Sequence, residues 1–112
     1  MPKKLKEILR KKESYKVCFL KDVNCSHKIE WHHHFQYAGK QIQEEWAIIS
    51  LCSYHHRIVR NKEISNRVEW VALNRLFSNE EWLKEAKKKY SKAILNWKQR
   101  VLFLNKKYGR YR

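Results

Sequence analysis

Three cysteines and one histidine occur in two short segments that are well separated along the chain. The segment "CFLKDVNC" contains Cys18 and Cys25, and the segment "CSYH" contains Cys52 and His55. The two-residue gap in "CSYH" lets both side chains reach one tetrahedral metal ion, whereas the gap in the first pair is wider than zinc ligands usually have. These four residues are predicted to form one structural zinc site.

The zinc prediction leaves two alternatives open. His27 can replace Cys25 in the ligand set, and the three cysteines can instead be small buried apolar residues, as free cysteines often are. An odd number of cysteines cannot all pair with one another, and an intracellular setting disfavours a disulfide. Zinc is favoured because a chain of 112 residues has room for only one modest core and gains most from a metal.

The charge of the chain indicates a polyanionic partner. Twenty-six lysines and arginines against 11 aspartates and glutamates give a formal net charge of +15, more than the solubility of so small a domain requires. A basic helix on a membrane surface is the competing interpretation, but the charge occurs both before Cys18 and after Leu83. Nucleic acid is therefore the predicted partner, although the sequence singles out no residue that binds it.

The sequence is expected to contain neither a membrane-spanning segment nor a signal peptide. No apolar run approaches the roughly 20 residues that span a bilayer, and charges interrupt the N-terminal segment "MPKKLKEILRKKE" where a signal peptide is apolar. The sequence therefore predicts an intracellular protein. The basic helices after residue 78 either hold a nucleic-acid structure or pair with a second subunit in a homodimer.

The apolar pattern predicts one α+β domain over residues 1–112 in three parts. Residues 2–13 have the spacing of a short basic helix, and residues 17–60 contain a strand, a loop, a strand and the start of a helix. Residues 65–109 are predicted to be helical, with Ser65 or Asn66 as the first cap. The next cap is predicted at Ser78 with Glu81, and Gly109 is predicted to end the last helix.

Three consecutive histidines precede the predicted loop, and two more follow Cys52. Side chains alternate along a strand, so His32 and His34 are expected on one side and His33 on the other. Adjacent residues of a helix diverge by about 100°, so His56 points away from a zinc ion bound to His55 and can face the first group. The sequence thus predicts a second, open metal site beside the closed one.

The order "EWHHHF … WAIISLCSYHH" resembles the HNH endonuclease family, whose members are also called ββα-metal or His-Me finger nucleases. The segment "WHHHFQYAGKQIQEEWAII" is similar to small HNH proteins of bacteriophages and prophages. The resemblance covers mainly residues 17–60. It implies a ββα-metal core with a short two-stranded hairpin, stapled by zinc and flanked by an N-terminal helix and C-terminal helices. It also implies that the protein is located in the cytoplasm of a bacterial or phage-infected cell.

The resemblance implies a role for each histidine of the motif. His32 and His56 would bind one catalytic divalent cation, Mg²⁺, Mn²⁺, Ni²⁺ or Zn²⁺, and His33 would be the general base. Cys52 and His55 take the places of the second zinc pair. The implied reaction is hydrolysis of DNA phosphodiester bonds to 5′-phosphate and 3′-hydroxyl ends, with contacts to the DNA backbone that do not read its sequence.

One departure from the family pattern is Ala47, which stands where the family has an asparagine that braces the loop carrying the base. Gln41 or Gln43 can supply that brace, and Glu30 can orient a histidine. His34 either contacts a metal ligand without binding the metal itself or is solvent-exposed, and solvent exposure is the favoured interpretation. The departure makes a weak or inactive zinc-stabilised nucleic-acid-binding module the alternative function, with a structural assembly protein as a third class.

Overall fold

A computed structural model describes residues 1–109, and residues 110–112 of the predicted domain lie outside the described part. The fold is α+β, as predicted, with two small antiparallel strand pairs and helices on both sides of them in the chain. The elements of the described part are α1 (Lys3–Lys11), β1 (Ile29–His33), β2 (Gln36–Tyr37), β3 (Lys40–Gln41), β4 (Ile48–Cys52), α2 (Ser53–Arg57), α3 (Lys62–Phe77), α4 (Glu80–Lys89) and α5 (Ser91–Tyr108).

The antiparallel pair of β1 and β4 forms the centre of the molecule. Ile29 lies opposite Cys52, and His33 lies opposite Ile48. Every residue of β4 is buried, which fits the apolar segment "IISLC", because a strand covered on both faces shows no polar alternation. Since β4 runs directly into α2, the start of α2 lies beside the start of β1.

The segment between β1 and β4, predicted as a loop, contains the short hairpin of β2 and β3. Its turn residues Ala38 and Gly39 have φ values of 53° and 78°, the left-handed backbone that two-residue hairpin turns require. Phe35 and Ile42 flank the hairpin, are buried and share a backbone hydrogen bond of 3.0 Å. The base of this loop is therefore anchored in the core.

The N-terminal segment packs on the core through a few apolar side chains. α1 buries Leu5 and Leu9 and exposes most of its lysines, so the basic helix predicted over residues 2–13 is present in a slightly shorter form. Tyr15 follows in a 3-10 turn and is buried. Its hydroxyl group accepts a hydrogen bond of 2.7 Å from Arg75, which joins this segment to α3.

Helices α3, α4 and α5 pack against one another, and α3 contacts β4. Arg75 donates a hydrogen bond of 2.9 Å to the carbonyl oxygen of Ile48. α5 ends at Gly109, as predicted, with φ of 81°. None of the helices within residues 1–109 has the length and the apolar character that a membrane-spanning helix requires. The buried residues of the long helices recur at helical spacing and include Val68, Val71, Ala72 and Leu76 on α3, and Ile94, Val101 and Leu104 on α5.

The helix caps differ from those predicted. α3 begins at Lys62, where the side chain of Asn61 accepts hydrogen bonds from two backbone N–H groups of the first turn, at 3.0 and 3.3 Å. The predicted caps Ser65 and Asn66 lie inside the helix and are wrong. At α4 the cap is Asn79, the residue after the predicted serine.

We expect Asn61→Ala to lower the free energy of unfolding by about 1 kcal/mol, because two N–H groups of α3 lose their acceptor. Urea denaturation followed by circular dichroism measures the change. Ser65→Ala is the matched control, since Ser65 is exposed inside the helix and alanine favours helix there. An equal loss in both variants would contradict the assigned cap.

Candidate functional site

Four side chains, here called the Cys3His cluster, converge at the junction of β4 and α2. The Nδ1 atom of His55 lies 3.6 Å from Cys18 Sγ, 3.6 Å from Cys25 Sγ and 3.1 Å from Cys52 Sγ. All four potential ligand atoms lie within 4.8 Å of one another. Each of these residues is one that the sequence predicts as a zinc ligand.

The geometry of the Cys3His cluster fits a metal ion better than hydrogen bonds. A single Nδ1 atom has either one proton or one lone pair, so it cannot satisfy three sulfur atoms. Zinc bonded to sulfur and nitrogen in a tetrahedron separates those two ligand atoms by about 3.5 Å, close to the observed distances. The cluster can therefore hold a structural metal ion such as zinc.

Two separate backbone segments bring the four side chains of the Cys3His cluster together. Cys52 ends β4, and its sulfur accepts a hydrogen bond from the N–H of His55, so the first turn of α2 brings that ring back over the strand. Cys18 and Cys25 lie in an irregular loop in which Lys21 has φ of 46°. Phe19 holds this loop against β4 through a backbone hydrogen bond.

The thiol groups of Cys25 and Cys52 have opposite pKa shifts. Burial disfavours a thiolate at Cys52, but hydrogen bonds from the backbone N–H groups of His55 and Ser26 outweigh it and lower the pKa to about 6. Burial raises the pKa of Cys25 to about 11, and the neighbouring sulfur atoms add to that effect. Three thiolates repel one another at this spacing, and a bound cation would remove the repulsion.

Asp22 is a member of this site that the sequence does not single out. Its Oδ2 atom lies 2.9 Å from His55 Nε2 and 3.2 Å from Arg67 Nη1. Burial opposes ionisation, but hydrogen bonds from Asn24, Arg67 and His55 keep the pKa of Asp22 below its usual value. A carboxylate at Nε2 places the proton there and leaves the Nδ1 lone pair directed at the sulfur atoms, as in many metal-binding histidines.

We expect Asp22→Asn to weaken zinc binding by about 10- to 100-fold, because a neutral amide no longer holds the His55 ring through a charged acceptor. Competition with a chromophoric chelator measures the affinity. Arg67→Gln is the matched control, since it removes the cationic partner of Asp22 and leaves the contact with His55. Equal losses in the two variants would contradict a role through His55.

His27, the alternative ligand, is exposed and lies outside the Cys3His cluster. The half-buried Cys25 occupies the fourth ligand position instead. The preferred ligand set of the sequence prediction is therefore the one that converges.

A second group of histidines lies where β1 passes α2. The ring centroids of His32 and His56 are 5.4 Å apart, and those of His32 and His34 are 6.0 Å apart. The alternation of β1 thus gives His32 and His34 a shared face, and His56 approaches it from α2. Within residues 1–109, no third acidic, cysteine or histidine side chain joins His32 and His56 in a closed cluster like the Cys3His cluster.

Glu30 lies beside this group and contacts His56. Its Oε1 atom is 2.7 Å from His56 Nδ1, and hydrogen bonding by His56 lowers the pKa of Glu30. In the neutral ring whose Nδ1 proton the carboxylate accepts, the Nε2 atom of His56 has a lone pair. The contact with Glu30 fixes the orientation of the ring.

His33 has a different neighbour. Its Nε2 atom lies 3.1 Å from Gln43 Oε1, so the amide carbonyl accepts the ring proton and Nδ1 keeps a lone pair. Gln41, the other candidate brace, is exposed in β3 and pairs with Gln36. Ala47 is buried and contributes only its carbonyl oxygen, which accepts a hydrogen bond from the N–H of His34.

His32 and His34 lie in surroundings that favour neutral rings. Burial lowers the pKa of His32 to about 4, and the rings of His34, His56 and His33 add to the effect. Burial also lowers the pKa of His34 to about 4. His34 is half-buried against the edge of Phe35, so its predicted exposure is wrong. Neutral imidazoles are the form that binds metal ions.

Comparison of the chain with protein-family models, with curated proteins and with solved structures finds no match. The assignment of the site rests on the geometry of its own residues. Two features define it: the closed Cys3His cluster and the open pair of His32 and His56.

Proposed function

We propose that the chain is a metal-dependent endonuclease of the HNH type that hydrolyses DNA phosphodiester bonds. One observation carries the proposal: two consecutive strand residues have separate partners, His32 beside His56 of α2 and His33 beside Gln43. One ring of the pair can then bind a cation while its neighbour acts as a base. In this proposal β1, β4 and α2 are the ββα-metal core, and the Cys3His cluster holds it together with zinc.

In the proposed site His32 and His56 hold the catalytic cation. When bound, Mg²⁺, Mn²⁺, Ni²⁺ or Zn²⁺ supplies Lewis-acid stabilisation of the charge on the scissile phosphate and on the leaving 3′ oxygen. Glu30 orients His56 by accepting its Nδ1 proton. The low pKa of His32 supports the same assignment, because a ring that stays neutral keeps its lone pair available for the cation.

The proposed base is His33, which removes a proton from the attacking water through Nδ1. Gln43 fixes the tautomer by accepting the Nε2 proton, and it takes the bracing role for which Ala47 has no side chain. The attack leaves 5′-phosphate and 3′-hydroxyl ends. His34 supports His32 from the same face of β1.

The partner in this proposal is the backbone of DNA. A formal net charge of +15 favours binding to phosphate groups whatever the base sequence, and such binding weakens as salt rises. Three free thiols agree with a reducing compartment, so we assign the activity to the cytoplasm of a bacterial or phage-infected cell.

A zinc-stabilised module that binds nucleic acid without cutting it is the second candidate. Ala47 favours it, because a buried methyl group stands where the family has a bracing amide. The two candidates share the Cys3His cluster and the basic surface and differ only in cleavage.

Nicking of supercoiled plasmid DNA tests the proposal. The full chain is incubated with each of the four cations, with no added cation and with a chelator, and His33→Ala is compared with the wild type. Conversion to the nicked form that requires both a cation and His33 supports the nuclease. DNA binding without any cleavage supports the second candidate.

A further inference from the structure

An open cleft of about 450 Å³ lies beside His56, on the side where α2 meets the start of β1. Its volume is within the range of pockets that hold one small ligand. Every residue that lines it is polar or charged, and the proposed chemistry uses two of them. The lining consists of Lys28, Glu30, Ser53, His56 and Arg57.

The backbone explains why these residues meet. The N–H of Ser53 donates a hydrogen bond of 2.8 Å to the carbonyl oxygen of Lys28, so the chain just before β1 lies against the first turn of α2. His56 and Arg57 follow Ser53 at positions i+3 and i+4, which share one helix face. The cleft is therefore built into the same unit that carries His56.

One positively charged side chain of the cleft has no anionic partner within the described residues. The carboxylate of Glu30 is already matched by His56 at 2.7 Å and by Lys28 at 3.7 Å. Arg57 is exposed and forms no ion pair or side-chain hydrogen bond within residues 1–109. A guanidinium group with all its donors available suits an anion with several oxygen atoms, whereas the hydroxyl group of Ser53 already lies 2.7 Å from Ser26 Oγ.

We propose that this cleft binds a phosphate of the DNA strand next to the scissile phosphate. Arg57 binds its non-bridging oxygens, and the exposed ammonium group of Lys28 adds a second positive charge to the cleft. The inference rests on the proposed function for the position of the scissile phosphate beside His56. The strand carries a phosphate on every nucleotide, so the one adjoining the cut must lie near the edge of the histidine group.

The test measures DNA binding apart from cleavage. In the His33→Ala background, Arg57→Gln is expected to weaken binding to a labelled DNA duplex by about 5- to 10-fold at moderate salt. The slope of log affinity against log salt is expected to fall by about 0.9, the value for one lost phosphate contact. Arg57→Lys is expected to keep the slope and lose only part of the affinity, since it keeps the charge without the planar fork.

Arg10→Gln is the matched control, because Arg10 is an exposed arginine on α1 outside the cleft. It removes the same charge from the whole protein. If its affinity and salt slope change as much as those of Arg57→Gln, the effect is general attraction and the phosphate subsite is rejected. If the wild type shows no nicking yet Arg57→Gln alone loses binding, the subsite stands and the nuclease proposal fails.

Discussion

Removal of the metal ion from the Cys3His cluster is expected to lower the free energy of unfolding by at least about 4 kcal/mol, the contribution of a ligand present at a thousand times its Kd. Residues 17–28 contain neither helix nor strand, so a bound ion would supply bonds that hold Cys18 and Cys25 in place in addition to the backbone hydrogen bond of Phe19. Without it, Cys52 and His55 stay buried with their strongest partner missing. Urea denaturation before and after chelation, with zinc measured in the purified protein, gives the difference.

The same decrease in the free energy of unfolding is expected for Cys52→Ala, which removes a fully buried potential ligand. His55→Ala is expected to behave alike, and His27→Ala is its matched control, since His27 is an exposed histidine outside the cluster. Purified protein with no bound zinc, together with unchanged stability in Cys52→Ala, would contradict the structural role of the metal.

The sequence predicts the Cys3His cluster because its signal is local. In "CSYH" the two ligands are three residues apart, which is one helical turn, and a cysteine at the end of a strand starts that turn. The prediction of β1 and β4 succeeds for a related reason, since β-branched and aromatic residues fill both segments. Patterns of this kind depend on a few neighbouring residues, so the tertiary packing of the rest of the chain does not change them.

Features that depend on the path of a loop were not predictable in the same way. Asp22 reaches His55 because Lys21 adopts a left-handed backbone, which nothing in the residue type requires. The only signal in the sequence is an acidic residue between two cysteines. Asn61 lacks the capping-box pattern, because Ile64 stands three residues after it, yet its side chain caps α3.

The two adjacent histidines of α2 connect the Cys3His cluster with the pair of His32 and His56. His55 has a carboxylate on Nε2 and directs Nδ1 to the sulfur atoms, whereas His56 has a carboxylate on Nδ1 and leaves Nε2 available. Because the helix has only five residues, the turn that completes the Cys3His cluster also aims His56. We therefore expect chelation of a metal ion in the Cys3His cluster to disturb the pair of His32 and His56, to which the proposed function assigns the catalytic cation, as well as the fold.

In the proposed nuclease, His33→Ala is expected to lower the rate of plasmid nicking by about 10²- to 10⁴-fold, the usual contribution of a general base. The variant removes a half-buried ring whose side-chain hydrogen bond is to Gln43, so the fold and DNA binding are expected to persist. Thermal unfolding and fluorescence anisotropy with labelled DNA check both. The nicking rate is measured with each of Mg²⁺, Mn²⁺, Ni²⁺ and Zn²⁺.

Two further variants separate the base from its surroundings. His27→Ala is expected to cut at the wild-type rate, because it deletes an exposed histidine outside the histidine group. Gln43→Ala is expected to lose about 10-fold, since the His33 ring remains but its tautomer and orientation are no longer fixed. If wild type and His33→Ala are equally inactive with all four cations while both bind DNA, the chain is a binding module and the histidines serve its structure.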